Sequence, residues 1–97
     1  MTGMPDPISL RWDLAKTRRE IAELQRQLTT ITQDQIRLRA NLKEMPSTAK
    51  AYKRYLDKFD TQETQIEALQ ERIKKLQAQE AGRRKQLDDF LANLTVE

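Results

Sequence analysis

The stretch that decides the fold is Glu44-Met45-Pro46-Ser47-Thr48, which lies near the middle of a 97-residue chain. Pro46 has no backbone N–H and disfavours helical geometry at the residue before it, so a helix must end here. Ser47 or Thr48 can then accept hydrogen bonds from the first free amides of a new helix. The stretch therefore predicts a short turn at residues 46–48 between two helices.

On both sides of this turn, apolar residues recur with alternating spacings of three and four, which is the coiled-coil repeat. We predict helix 1 over 7–45 and helix 2 over 49–95, with Asp6 as N-cap and Pro7 at the first helical position. Ser9 is an alternative cap, and residues 1–6 form a disordered or expression-derived lead. The predicted helix–helix seam consists of Leu14, Ile21, Leu24, Leu28, Ile31, Leu38, Leu42, Tyr52, Tyr55, Phe59, Ile66, Leu69, Ile73 and Leu76.

Because the turn is short, the two helices must pack as antiparallel neighbours. The predicted fold class is therefore all-α, an antiparallel two-helix coiled-coil hairpin. Folding the chain about Ser47 places Ile21 opposite Ile73, and Gln35 near Phe59. Each polar seam residue is thus expected to face an apolar one.

Polar residues interrupt the seam of helix 2 far from the turn. The predicted register places Glu80 opposite Leu14 and Arg83 opposite Leu10. We therefore expect the open end of the hairpin to splay, or to be covered by something else. Gly82 lies in the same interval and weakens the helix, which we expect to continue through it.

Several apolar residues fall off the seam: Trp12, Ile36, Leu56 and Leu91. Single exposed apolar residues are common in proteins. The alternative is a second contact surface, which serves either self-association into a four-helix bundle, such as a homodimer, or docking onto a parent domain. Both interpretations are open at the level of sequence.

The net charge of +3 is unevenly spread along the chain. Residues 37–56 hold six basic side chains and one acidic one, residues 57–71 five acidic and one basic, and residues 72–87 six basic and one acidic. The hairpin is therefore expected to have a basic tip, an acidic waist and a basic open end. At the tip, four basic residues beside two tyrosines are candidate contacts for nucleic acid: Lys43, Lys50, Lys53 and Arg54. An ordinary solvated face is the favoured interpretation.

The chain contains neither cysteine nor histidine, which excludes disulfides, the usual zinc sites and histidine acid–base chemistry. Glu63, Glu67 and Glu71 share a helix face, but a di-iron bundle also needs a Glu-x-x-His pair. We predict no catalytic residue, metal ligand or cofactor site, and no apolar run approaches the ~20 residues of a membrane span. The lack of cysteine is compatible with the cytosol, the periplasm or secretion.

Three stretches of the sequence are similar to a pattern found in a known family. They are Asp34-Gln35-Ile36-Arg37-Leu38-Arg39-Ala40-Asn41-Leu42 and Ala51-Tyr52-Lys53-Arg54-Tyr55-Leu56, followed later by Gln62-Glu63-Thr64-Gln65-Ile66. Over roughly residues 17–94, the chain resembles the C-terminal helical hairpin of uncharacterised bacterial proteins grouped with mucoidy inhibitor A, a domain family of unknown function. The resemblance implies a hairpin that projects from a β-rich body, a parent that is often exported or envelope-associated, and no catalytic residues.

These observations predict a non-enzymatic coiled-coil module. It would serve as a structural spacer or protein–protein interaction arm of a larger bacterial protein. The alternative is an RNA-binding helical arm that uses the basic tip.

Overall fold

The computed structural model describes residues 6–94. It consists of two helices, α1 (Pro7–Glu44) and α2 (Lys50–Leu94), which run antiparallel and pack against each other. The rod that they form measures 74 × 25 × 15 Å. The predicted all-α helical hairpin is therefore confirmed.

The ends of α1 follow from its local sequence. The Asp6 carboxylate accepts a hydrogen bond from the backbone N–H of Ser9 at 2.7 Å, and Pro7 occupies the first helical position. Asp6 thus caps the helix and belongs to the ordered hairpin rather than to a lead, whereas residues 1–5 lie outside the described residues. At the other end, Met45 takes an extended conformation (φ −105°, ψ 133°) because Pro46 follows it. Helix 1 therefore ends at Glu44, one residue before the predicted boundary.

The linker spans residues 45–49 rather than 46–48. The Ala49 N–H donates to the Pro46 carbonyl, and the Ala49 carbonyl accepts from the Tyr52 N–H, both at 3.0 Å. Ala49 therefore stands just outside α2, which begins at Lys50. The predicted caps do not form, since neither the Ser47 nor the Thr48 hydroxyl has a hydrogen bond within residues 6–94. The predicted C-terminal boundary at residue 95 lies outside the described residues.

The core is one apolar seam between the helices. Ile21, Ile73 and Leu76 form a buried cluster, and Leu24 and Leu28 pack against it. Leu38, nearer the turn, has no exposed surface at all. Each helix buries one stripe, so hydrophobic burial holds the hairpin together along a line rather than around a centre.

The predicted pairing of Ile21 with Ile73 is confirmed, since both lie in one buried cluster. Two polar side chains of α1, however, contact residues about one helical turn farther along α2 than the predicted register gives. Gln35 donates a hydrogen bond to Glu63 at 3.0 Å, four positions beyond Phe59. Arg18 rather than Leu14 meets Glu80, at 2.9 Å.

Side-chain tilt explains this displacement. In a helix every side chain leans toward the N-terminus of its own helix. In an antiparallel pair the two sets of side chains therefore lean in opposite directions along the rod. A residue on α1 consequently contacts a residue on α2 whose Cα lies farther from the turn than its own Cα.

The open end does not splay, contrary to the prediction. Leu10 and Leu14 are only 3% and 6% exposed. Arg83 donates to the Thr17 hydroxyl, which itself donates to the Asp13 carbonyl at 2.9 Å. These hydrogen bonds let the polar interval of α2 pack against α1, because Thr17 offers Arg83 an acceptor.

We expect Gly82→Ala to raise the free energy of unfolding by about 0.5–1 kcal/mol, since alanine loses less backbone entropy in a helix. Gly82 is exposed within α2, and an added Cβ has no atom within 4 Å. Urea unfolding followed by circular dichroism measures the change. The matched control is Ala81→Gly, an exposed neighbour, which should lower the free energy of unfolding by a similar amount. A destabilised Gly82→Ala variant would contradict this account.

Candidate functional site

The seam is the largest contact surface of the hairpin. Six of the predicted seam residues are buried and the others are half-buried. The buried ones are Leu14, Ile21, Leu38, Ile66, Ile73 and Leu76, and the half-buried ones are Leu24, Leu28, Ile31, Leu42, Tyr52, Tyr55, Phe59 and Leu69. All of them are turned at least partly toward the partner helix.

A polar layer crosses the seam about midway between the turn and the apolar cluster. The Asp34 carboxylate accepts hydrogen bonds from Arg37 at 2.8 Å and from the Gln62 amide at 2.6 Å, and Lys58 lies 3.3 Å away. On the other side of the layer, the Gln35 amide donates to Glu63. The sequence analysis placed Gln35 on the seam but missed Asp34, whose position beside Gln35 was the available signal.

The polar layer defines the register more than it stabilises the fold. Gln35 and Gln62 are each only 6% exposed, and the Gln62 Oε1 atom is buried without a hydrogen-bond partner. A buried acceptor of this kind costs about 1–3 kcal/mol. Buried polar residues in coiled coils commonly fix register at such a cost. Sliding the helices by one turn would separate Asp34 from Gln62 and Gln35 from Glu63 together.

The surroundings of Asp34 lower the pKa of its carboxyl group from 3.8 to about 2. The hydrogen bond from Arg37 is the main cause, followed by that from Gln62, with a smaller contribution from Lys58. Each of these donors favours the charged form of the carboxylate. Asp34 is therefore an ionised structural acceptor at neutral pH and does not have the pKa of a general acid.

At the tip, the structure leaves four basic side chains exposed: Lys43, Lys50, Lys53 and Arg54. None of them forms an ion pair or hydrogen bond through its side chain within residues 6–94. By contrast, Arg37 binds Asp34, and Arg39 lies over the Phe59 ring with its guanidinium carbon 5.4 Å from the ring centroid. Tyr52 and Tyr55 are half-buried in the seam. The tip therefore offers positive charge, while most of the aromatic surface is turned toward the helix partner.

The predicted second contact surface divides into two regions. Trp12 (59% exposed) and Leu91 (37%) lie toward the open end, and the Lys16 ammonium stands 5.4 Å from the Trp12 ring centroid. Ile36 (66%) and Leu56 (44%) lie toward the turn. The structure therefore does not unite these four residues in one patch.

Within residues 6–94, His, Cys, Asp and Glu side chains form no cluster that could hold a metal ion. In the same range, neither helix has an apolar segment long enough to cross a membrane. The grooves along the rod are shallow and open, including the one lined by Asp34, Arg37 and Gln62.

Comparisons of the chain with protein-family models, curated proteins and solved structures found no match.

We expect Asp34→Asn to flatten the pH dependence of stability between about pH 4 and about pH 2. The folded-state pKa of Asp34 is lowered, so its ionisation stabilises the fold above the ordinary value of 3.8. This stabilisation disappears as the pH falls toward about 2. Urea midpoints measured across this pH range should therefore fall more steeply for the wild type than for the variant.

Asp57→Asn is the matched control. Asp57 is exposed and has no side-chain partner within residues 6–94, so its replacement should leave the steepness of the pH dependence unchanged. Equal slopes for the wild type and Asp34→Asn would refute the assigned role of the Asp34 hydrogen bonds.

Proposed function

We propose that the chain is a non-enzymatic coiled-coil module, a structural spacer or protein–protein interaction arm of a larger bacterial protein. The observation that carries this proposal is the 74 Å rod, whose described residues are organised around one continuous helix–helix seam. Such a shape holds its tip at a fixed distance from its open end. It also presents long, solvent-exposed helix faces to other proteins.

Rigidity supports the spacer role. Both helices run without interruption from end to end, and α2 continues through Gly82. Register slip would break the polar layer around Asp34 and Gln62. The apolar seam residues that maintain the length of the rod are Ile21, Leu24, Leu28, Ile66, Leu69 and Ile73.

The non-enzymatic part of the proposal rests on the absence of histidine and cysteine from the sequence and on the environment of the carboxylates. Asp34, whose pKa is lowered by its hydrogen bonds, already accepts from Arg37 and Gln62. Serine, tyrosine and lysine remain as reactive groups, but a shallow, solvated surface does not supply the burial that shifts a lysine pKa.

The bacterial parent in this proposal comes from the resemblance to the hairpin of proteins grouped with mucoidy inhibitor A. In that arrangement the hairpin would project from a β-rich body. The antiparallel geometry is compatible with it, because Asp6 and Leu94 both lie at the end opposite the turn.

We expect the chain, used as bait, to capture a protein whose binding survives neutralisation of the tip. The variant carries Lys50→Gln, Lys53→Gln and Arg54→Gln, which remove charge from exposed side chains without removing a contact within the hairpin. Nuclease-treated lysate and quantitative mass spectrometry identify what is retained.

The matched control removes three exposed basic residues elsewhere on α2, through Arg72→Gln, Lys74→Gln and Lys75→Gln. A partner lost from the tip variant alone would move the binding site to the tip. Failure to capture any protein would contradict the interaction role.

A second candidate function is RNA binding through the basic tip. The observation that favours it is a group of four exposed basic side chains that have no carboxylate partner among residues 6–94: Lys43, Lys50, Lys53 and Arg54. Four phosphate contacts are enough for weak, salt-dependent binding. Against it stands the partial burial of Tyr52 and Tyr55 in the seam, which limits their use for stacking on bases.

If the tip binds RNA, the logarithm of the association constant for single-stranded RNA should fall with the logarithm of salt concentration with a slope of about −3, as four phosphate contacts require. Fluorescence anisotropy at several salt concentrations measures this slope. The tip variant should lose the binding, whereas the Arg72, Lys74 and Lys75 variant should keep it. Absence of binding, or a slope near zero, would exclude this function.

A further inference from the structure

Two exposed apolar residues, Ile36 and Leu56, stand at nearly the same level of the rod on different helices. Ile36 lies eleven positions before Ser47, and Leu56 lies nine positions after it. Because 66% and 44% of their surfaces are exposed, neither residue is buried in the seam.

The contacts of the polar layer show that these two residues flank the same edge of the seam. Lys58 pairs with Asp34, so both lie at one edge. Successive helix residues are rotated by about 100°. Ile36 follows Asp34 by two positions, with the seam residue Gln35 between them, and Asp60 likewise follows Lys58, with Phe59 between them. Both therefore project from the opposite edge of the seam. Leu56 shares a helix face with Asp60, because the two are four positions apart.

We call this surface the Leu56 face. On α2 it is a stripe of residues spaced three and four apart: Lys53, Leu56, Asp60, Glu63 and Glu67. Glu63 is half-buried, and the other four are exposed. On α1 it contains three exposed residues: Ile36, Arg39 and Lys43. The charges are segregated along it. Basic residues lie near the turn, the apolar pair comes next, and acidic residues lie farther away.

We propose that a second copy of this chain docks on the Leu56 face in antiparallel orientation, with a twofold axis near Ile36 and Leu56. In this arrangement the apolar pair of one copy packs against the apolar pair of the other. The basic tip of each copy then lies along the acidic stripe of the other, with Lys53 near Asp60 and Lys43 beside the segment from Glu63 to Glu67. The face is self-complementary, as a twofold interface requires.

Charge selects this occupant and this orientation. A parallel arrangement would place the basic residues of the two copies against each other, and likewise the acidic ones, which costs binding energy. A nucleic acid on the same face would meet the carboxylates of Asp60, Glu63 and Glu67. Buried apolar surface provides the attraction, and the charges determine which way round the two rods lie.

This inference rests on the proposed function and deepens it, because it names one protein partner of the interaction arm. Self-association is measured on the purified chain, whereas the interaction arm is tested by capture from lysate. A chain that is monomeric and still captures another protein would remove the present inference and leave the proposed function standing.

Charge reversal tests the face. One variant carries Asp60→Lys and Glu67→Lys, and the other Lys43→Glu and Lys53→Glu. All four side chains are exposed and without side-chain partners in the described hairpin, and circular dichroism verifies that both variants are folded. By sedimentation equilibrium, each variant alone should dimerise at least about tenfold more weakly than the wild type. An equimolar mixture of the two should restore a species of twice the 11.4 kDa monomer mass.

Matched controls reverse exposed charges off this face. They are Asp57→Lys with Glu71→Lys, and Lys50→Glu with Arg54→Glu, and both should dimerise like the wild type. The proposal is overturned if the wild type is monomeric at every concentration, if the controls weaken association as much as the test variants, or if the mixture fails to restore the dimer.

A distance measurement tests the orientation. The chain has no cysteine, so Ser47→Cys gives a single site for a spin label at the turn. Overlap of the tip of one copy with the acidic stripe of the other covers about 20 residues of helix, so the two labels should lie roughly 30 Å apart at ~1.5 Å per residue. A label distance below about 15 Å would indicate a parallel dimer and overturn the antiparallel arrangement.

Discussion

The single apolar seam between α1 and α2 is the constraint on which the rest of the structure depends. Two helices can bury only one stripe each, so the described residues have a line of contact in place of a layered core. Ile21, Ile73 and Leu76 form its buried cluster, and Leu38 extends it toward the turn. Leucine and isoleucine pack at many heights along such a line, so apolar contact alone distinguishes poorly between neighbouring registers. The hydrogen bonds from Gln35 to Glu63 and from Gln62 to Asp34 supply that distinction.

The architecture was predictable from sequence because two signals agreed. The alternation of three and four residues persists on both sides of Pro46, and proline prevents the helix from continuing. The details that failed depend on three-dimensional direction rather than on periodicity. Side-chain tilt displaced polar contacts by about one turn, which put Arg18 instead of Leu14 beside Glu80. The open end is closed because Thr17 offers Arg83 an acceptor, which the spacing of apolar residues does not reveal.

The polar layer was harder to anticipate for a different reason. A glutamine at a seam position can be exposed by local fraying, or it can find a partner on the other helix, and spacing does not distinguish these outcomes. Asp34 determines the outcome for Gln62, since its carboxylate binds Gln62 together with Arg37 and Lys58. This role could not be predicted from the sequence, because Lys58 and Gln62 lie on the other helix. The proposed Leu56 face shares this property, because it combines residues of both helices.

The antiparallel course of the helices brings Asp6 and Leu94 to the same end of the rod. A hairpin of this kind can be inserted into a surface loop of another domain, because the host chain leaves and re-enters at neighbouring points. Mounted in this way it is a cantilever, and a sideways force at the turn produces its greatest bending moment at the base. The hydrogen bonds of Thr17 and the Arg18–Glu80 ion pair lie toward that base. They cross-link the two helices where the bending moment is greatest.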